Sequence, residues 1–117
     1  MRCSVGSIFD VAVDLRSASP SYGKWVGATL SANNHQQLWV PVGFAHGFLT
    51  LSEVAEVQYK ASGFWNRHCE RSLRWDDPTL AIQWPLEQLS GATPSLAEKD
   101  AEAPKLAVLE AANEVFA

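Results

Sequence analysis

Residues 38–60, LWVPVGFAHGFLTLSEVAEVQYK, carry the pattern from which the fold is predicted. Pro41 and Gly43 interrupt an apolar run in the way a turn does, because proline restricts φ and glycine accepts positive φ. The chain then resumes as an apolar segment over residues 44–51, with His46 near its start. Because turn residues precede this run, it is predicted to be a β-strand.

Residues 55–61 are predicted to form the next strand, because apolar and polar side chains alternate along them. The alternation places Ala55, Val57 and Tyr59 on one face and their polar neighbours on the other. If that face points inward, His46 and Tyr59 share one concave surface. On spacing alone, the alternatives are a hydrogen-bonded core histidine and a packing tyrosine at a strand end.

Further short strands are predicted on both sides of this pair, separated by turn residues such as those at 17–23 and 33–34. These strands cover residues 3–16, 24–32, 36–40, 72–75 and 81–84. Such spacing, with no helical pattern until late in the chain, predicts an antiparallel sandwich or barrel.

The C-terminal third has a helical pattern. Ser95 and Glu98 have the spacing of a capping box at a helix N-terminus. Pro104 suits the first turn of a second helix over residues 105–116. The candidate buried positions of that helix are Leu106, Leu109 and Val115.

The bulk properties of the chain restrict its class. Its 117 residues are predicted to form one small domain, with barrel strands in 1–86 and a helical segment in 95–117. The net charge of −4 argues against nucleic-acid binding, which requires a basic surface. Cys3 and Cys69 are predicted to be reduced thiols in a cytoplasmic protein. No segment approaches the ~20 apolar residues that span a bilayer, so no membrane partner is expected.

Five stretches of the chain resemble, in the same order, blocks of the dTDP-4-dehydrorhamnose 3,5-epimerase family. They are FDVAVDLR at 9–16, SPSYGKWVGATLSANN at 19–34, QLWVPVGFAHGFLTLSE at 37–53, EVQYK at 56–60 and WDDPTLAIQWP at 75–85. The resemblance implies a mainly β fold, a cupin-type antiparallel jelly-roll barrel that is incomplete here, with short C-terminal helices. It also implies a homodimer.

The same resemblance implies an isomerase that inverts C3 and C5 of a dTDP-linked 4-keto-6-deoxy sugar without a metal or an organic cofactor. The ketone acidifies the protons on both flanking carbons, so a base can remove each proton and an acid on the opposite face can return one. Donors to the enolate oxygen complete such a site.

By resemblance, Tyr59 matches the tyrosine that delivers the proton. Asp100 matches the carboxylate that orients the catalytic histidine. The positions that match substrate contacts are His46, Glu70 and Lys99, together with Trp65 where the family usually stacks an aromatic ring on thymine. Each also has a structural alternative, such as a solvated helix end for Lys99 and Asp100.

In the family, the histidine base lies in an RGLHxQ-like motif, and no such motif occurs in residues 1–117. His35 and His68 lie in turn and loop contexts and do not match it. The chain therefore resembles the C-terminal portion of the enzyme. Two expectations follow. Without the base, this chain alone is expected to have little or no epimerase activity. Without the family's opening strands, its sheet edges are expected to be open and to favour self-association.

Two other functions remain open on the sequence. One is a non-catalytic module that binds nucleotide sugars or supports assembly. The other is a metal-dependent cupin, indicated by PVGFAH at 41–46. It ranks last because such sites use several converging His and carboxylate ligands, and only His46 lies on a predicted strand.

Overall fold

A computed structural model describes residues 1–117, in which five β-strands precede four short helices. The strands are β1 Arg2–Val5, β2 Ser7–Asp14, β3 Trp25–Ser31, β4 Phe44–Thr50 and β5 Glu56–Gln58. The helices are two 3₁₀ turns, Arg67–Cys69 and Leu86–Leu89, followed by α1 Glu98–Ala101 and α2 Leu106–Ala111. The predicted mainly β, antiparallel fold with short C-terminal helices is confirmed. No helix has the length and apolar character needed to cross a membrane.

Strand β2 lies at the centre of a three-stranded sheet of order β3-β2-β4. Both faces of β2 are covered over most of its length, which explains why nearly every residue from Ile8 to Leu15 is apolar or buried. The opposite edge of β4 has no neighbouring strand, so the barrel is not closed.

One face of β2 packs against the C-terminal part of the chain. Val11, Val13 and Leu15 form a buried cluster with Leu80 and Leu106, the last of these from α2. The predicted burial of Leu106 and Leu109 is confirmed, with exposures of 2% and 3%. Val115 is only partly buried against the same cluster.

The other face of β2 carries Ile8, Asp10, Ala12 and Asp14. A second sheet, formed by β1 and β5, covers one end of this face, where Cys3, Ile8 and Leu30 form a second buried cluster. Ala55 and Val57 pack against that cluster, as their predicted alternation requires.

The prediction of one continuous strand over residues 3–16 is wrong, because the strand breaks at Gly6. Gly6 has φ of 73°, a conformation that side chains with a Cβ rarely adopt. The change of direction separates β1 from β2 and lets the two halves enter different sheets.

The predicted strands at 36–40, 72–75 and 81–84 are also wrong. Residues 36–40 make a single bridge, between Gln37 and Arg2. The later two segments lie across the face of β2, where Leu73, Ile82 and Trp84 pack against the core. Because they lie over a sheet face and not along an edge, no strand is positioned to pair with them.

The predicted capping box is wrong as well. Helix α1 begins after Ala97, which makes no side-chain capping bond, so Ser95 lies too far upstream. Helix α2 is shorter than predicted, because it begins after Lys105 and ends at Ala111. Beyond it, Phe116 forms a parallel bridge with Arg16.

Asp14 anchors the loop after β2. Its buried carboxylate accepts hydrogen bonds from Arg16 Nε at 2.9 Å and Nη2 at 2.8 Å, and from the hydroxyls of Ser19 at 2.6 Å and Ser21 at 2.5 Å. Arg16 also lies 5.0 Å above the ring of Phe44. The hydrogen bonds from Arg16, with those from the serines, hold the pKa of Asp14 well below its ordinary value.

This network makes stability depend on pH. Because the folded pKa of Asp14 is lowered, its contribution is present above the unfolded pKa of ~3.9 and is lost as pH falls toward the folded value. We therefore expect Asp14→Asn to destabilise the chain at pH 7 and to differ progressively less from the parent as pH decreases below about 5. Urea unfolding at several pH values measures this.

Glu87→Gln is the matched control, because Glu87 is an exposed carboxylate that makes no side-chain hydrogen bond. A difference between Asp14→Asn and the parent that stays constant from neutral to acid pH would contradict the role given to Asp14.

Candidate functional site

His46 lies on β4, opposite Ala12 of β2, and its ring contacts a buried carboxylate. Nε2 of His46 is 2.6 Å from Oδ1 of Asp10, which lies one pleat farther along the same face. Asp10 is fully buried, whereas the side chain of His46 is 28% exposed. The structure therefore presents a histidine at the surface of the sheet with an acidic partner beneath it.

This part of the face is more open than the end that β1 and β5 cover. Val26 on β3 is 59% exposed and Phe48 on β4 is 42% exposed, whereas Ile8 and Leu30 at the covered end are buried. Residues directly opposite one another on neighbouring strands share a face, so Val26 and Phe48 flank His46 and Asp10. A ligand has access to His46 from this side.

A second group of predicted residues is joined by an ion pair. Lys99 Nζ on α1 is 2.9 Å from Oε1 of Glu70, which follows the 3₁₀ turn Arg67–Cys69. The carboxylate of Glu70 raises the pKa of the Lys99 ammonium above its ordinary value, since it stabilises the charged form. This ion pair connects the loop that contains Trp65 to the helix that contains Asp100.

Both Trp65 and Asp100 are accessible. Trp65 is 73% exposed, just before Asn66, whose side chain caps the 3₁₀ turn by accepting a hydrogen bond from the amide of His68. Asp100 is exposed and makes no side-chain hydrogen bond within the chain. Four of the six predicted site residues therefore lie in the loop around this 3₁₀ turn and in α1, which Glu70 and Lys99 hold together.

Tyr59 lies one residue beyond the end of β5, is 73% exposed, and makes no side-chain hydrogen bond within the chain. Its strand does not pair with the strand of His46, because β4 pairs with β2 and β5 pairs with β1. The connection over residues 51–55 crosses from one sheet to the other. Even so, β5 packs over the same face of the three-stranded sheet as the one on which His46 lies.

A cavity of about 780 Å³ lies beside the end of β4, and none of the predicted site residues lines it. Its lining includes Phe48, Trp75, Trp84, Leu89 and Leu96. Phe48 is two residues from His46, which makes the cavity a neighbour of the histidine along the same strand. The motifs in the sequence did not indicate this cavity.

Asp10 is the residue of this site that motif reasoning missed. The available signal was a carboxylate inside the otherwise apolar run from Ile8 to Leu15, since a charged residue in a buried strand needs a partner. No group of three or more His, Cys, Asp or Glu side chains converges to hold a metal ion. The side chains near His46 that could bind a metal are thus limited to the imidazole of His46 and the carboxylate of Asp10.

The matching family model and two similar proteins carry the name of one family. Residues 1–108 match the family model described as dTDP-4-dehydrorhamnose 3,5-epimerase. The Salmonella typhimurium dTDP-4-dehydrorhamnose 3,5-epimerase is 54% identical over 106 residues, which are 91% of this chain and 56% of that protein. The Pseudomonas aeruginosa enzyme of the same name is 53% identical over 100 residues, which are 86% of this chain and 53% of that protein.

The fold agrees with the sequence comparison. A Legionella pneumophila dTDP-6-deoxy-D-glucose-3,5-epimerase, solved in complex with dTDP-4-keto-L-rhamnose, superposes with a TM-score of 0.89 at 44% identity. The superposition covers 98% of this chain and 58% of that one. It confirms the predicted cupin-type fold, and the chain spans about half the length of the curated relatives it matches.

Proposed function

We propose, because this chain belongs to the dTDP-4-dehydrorhamnose 3,5-epimerase family, that it forms the substrate-binding and proton-donating part of such an epimerase. The substrate is dTDP-4-dehydro-6-deoxyglucose, and the reaction inverts C3 and C5 beside the 4-keto group. The observation that carries the proposal is the family match over residues 1–108. The 54% identity to a named epimerase agrees with it.

The proposed chemistry requires a base, an acid and donors to the enolate oxygen. Tyr59 is the proposed acid, and its exposed hydroxyl, without a partner in the chain, is available to a substrate. Asp100 is the proposed carboxylate that orients the base, and it too is exposed without a side-chain partner. The RGLHxQ-like base motif does not occur in residues 1–117.

The proposed substrate-binding residues are His46, Trp65, Glu70 and Lys99. The exposed indole of Trp65 supports stacking on the thymine base, because a flat aromatic face is what a nucleobase stacks on. The ion pair between Glu70 and Lys99 supports a fixed position for the loop that carries Trp65, because it links that loop to helix α1.

Binding tests the substrate class. We expect the purified chain to bind dTDP in a calorimetric titration, and Trp65→Ala to weaken that binding about tenfold or more, because one stacked base contributes about 1–3 kcal/mol. Trp39→Ala is the matched control: Trp39 is 83% exposed and lies outside the proposed site. Equal loss in both variants, or no binding by the parent chain, would contradict the proposal.

Proton exchange tests the division of the chemistry. In D₂O, abstraction at C3 or C5 followed by return of a solvent proton places deuterium on the sugar, which mass spectrometry detects. We expect no incorporation with this chain alone, because the base motif does not occur in it. Rapid incorporation of deuterium would contradict the statement that this chain does not supply the base. Binding of dTDP without exchange also fits the alternative function, a non-catalytic module that binds nucleotide sugars.

We further propose a homodimer in the cytoplasm and one cooperative domain over residues 1–117. The unpaired edge of β4 supports self-association. The free thiols of Cys3 and Cys69 support a reducing compartment. Packing of Leu106 against Val11 supports a single folding unit. The homodimer is tested by sedimentation velocity and the cytoplasmic location by cell fractionation. The single domain is tested by whether fluorescence and circular dichroism report coincident unfolding.

A further inference from the structure

We infer that Asp10 is a positioning residue, which holds His46 in the tautomer protonated on Nε2 and reserves Nδ1 for a hydroxyl or keto oxygen of the bound sugar. This inference rests on the proposed function for the identity of the ligand. The juxtaposition of Asp10 and His46 in the structure carries the assignment of the tautomer.

The two residues occupy rigid positions. Asp10 lies in the middle of β2, the strand that is paired on both sides, and is fully buried. His46 lies on β4 opposite Ala12, so its ring reaches diagonally across one pleat to Asp10. Because both side chains project from paired strands, the contact of 2.6 Å is set by the register of the sheet.

The chemistry of the contact determines which nitrogen carries the proton. When the carboxylate of Asp10 is ionised it only accepts hydrogen bonds, so the nitrogen that faces its Oδ1 then carries the proton. That nitrogen is Nε2. Nδ1 has no partner within the chain, and the side chain of His46 is 28% exposed. In the neutral ring, Nδ1 is then an acceptor for a ligand hydroxyl, and in the protonated ring it is a donor to a ligand oxygen.

A purely structural role does not explain why one carboxylate oxygen of Asp10 is left without a hydrogen bond. Oδ2 is buried and has no hydrogen-bond partner. Buried polar atoms in native proteins almost always have a hydrogen-bond partner. A buried carboxylate oxygen without a partner makes no stabilising hydrogen bond. If Asp10 served stability alone, an asparagine would be at least as suitable, because it removes a buried charge. The charge is explained by its action on His46.

The test uses the ¹⁵N-labelled 117-residue chain and long-range ¹H–¹⁵N correlation spectra at a pH above the ordinary histidine pKa of ~6.5. We expect His46 to show a protonated Nε2 and an unprotonated Nδ1. His35 and His68 are exposed histidines of the same chain and provide the internal reference for an unconstrained ring. A tautomer mixture at His46 that matches theirs would overturn the inference.

The variant Asp10→Asn supplies the second measurement. Its amide can donate or accept, so we expect the preference for Nε2–H to be lost while the dispersion of the amide spectrum remains native. If that variant fails to fold, the spectrum of the parent chain alone still decides the tautomer. An unchanged tautomer in folded Asp10→Asn would overturn the positioning role.

Binding separates this inference from the proposed function. We expect Asp10→Asn to weaken binding of the dTDP-linked 4-keto sugar about fivefold to tenfold and to leave binding of dTDP itself unchanged, because only the sugar meets His46. Equal loss for both ligands would overturn the inference. Absence of dTDP binding by the parent chain would overturn the proposed function, whereas the tautomer measurement would stand.

Discussion

Replacing Asp77 by alanine is expected to lower the free energy of unfolding by about 3–5 kcal/mol, because one buried carboxylate serves three backbone amides. Oδ1 accepts from Thr79 N at 2.8 Å and Leu80 N at 3.0 Å, and Oδ2 accepts from Leu106 N at 2.7 Å. Asp77 is 2% exposed. Alanine would leave the amides of Leu80 and Leu106 buried without partners.

The loss should be largest where the C-terminal segment docks. Leu106 begins α2 and packs in the main buried cluster with Val11 and Leu80, so the carboxylate joins the start of that helix to the segment that covers β2. Urea unfolding followed by tryptophan fluorescence measures the change. Trp75 and Trp84 lie in this segment and report its detachment.

Asp76→Ala is the matched control for Asp77→Ala. Asp76 is the preceding residue, and its carboxylate is 40% exposed and paired with Arg74 at the surface. Pairs of this kind contribute little, so the control variant should remain close to the parent in stability. Comparable losses in the two variants would show that the buried hydrogen bonds of Asp77 do not support the fold in the manner described.

Replacing Gly6 by alanine is expected to destabilise the chain by about 3–5 kcal/mol, because the site excludes a Cβ for two separate reasons. The backbone has φ of 73°, which disfavours any L side chain. A Cβ at this position would also lie 2.1 Å from the carbonyl oxygen of Val54 and 2.3 Å from Oγ of Ser52. The first of these contacts is with backbone and cannot be relieved by a rotamer change.

Gly23→Ala isolates the conformational part of that effect. Gly23 has nearly the same φ, 74°, but no atom lies within 4 Å of the position that a Cβ would occupy there. The control should therefore lose only the conformational cost of about 1–2 kcal/mol. Thermal and urea unfolding of both variants gives the comparison. Equal destabilisation would show that the contact with Val54 is relieved by a shift of residues 52–54.

Gly6 has this importance because the break at this residue creates the two-layer arrangement. It separates β1, which pairs with β5, from β2, which carries Asp10 and Asp14. The layer formed by β1 and β5 then covers Ile8 and leaves His46 accessible. A change that disturbs this break is expected to affect both stability and access to the candidate site.

The candidate site consists of two groups whose roles in the proposal differ. Asp10 and His46 project from paired strands, and the fold holds them rigidly. Glu70 and Lys99 join short elements that carry the exposed Trp65 and Asp100. The first group is therefore fixed by strand pairing and the second by a surface ion pair.

Several features were determined by the sequence alone, because they depend on local pattern. Turn residues and a following apolar run predicted β4, and the alternation around Val57 predicted that Ala55 and Val57 face the core. The spacing of Leu106 and Leu109 predicted the buried side of α2. Five collinear blocks indicated the family without any knowledge of the fold, since a run of matching blocks in order is far more specific than one motif.

Only the tertiary structure decided which segments meet. Asp10 and His46 are 36 residues apart in the chain, Glu70 and Lys99 are 29 apart, and the sequence provides no distance between them. Pairing of β4 with β2 and of β5 with β1 depends on register and on the break at Gly6, which local periodicity does not encode. Local pattern specifies which side of a strand is buried, but contacts between distant residues are selected by the free energy of the whole packed chain.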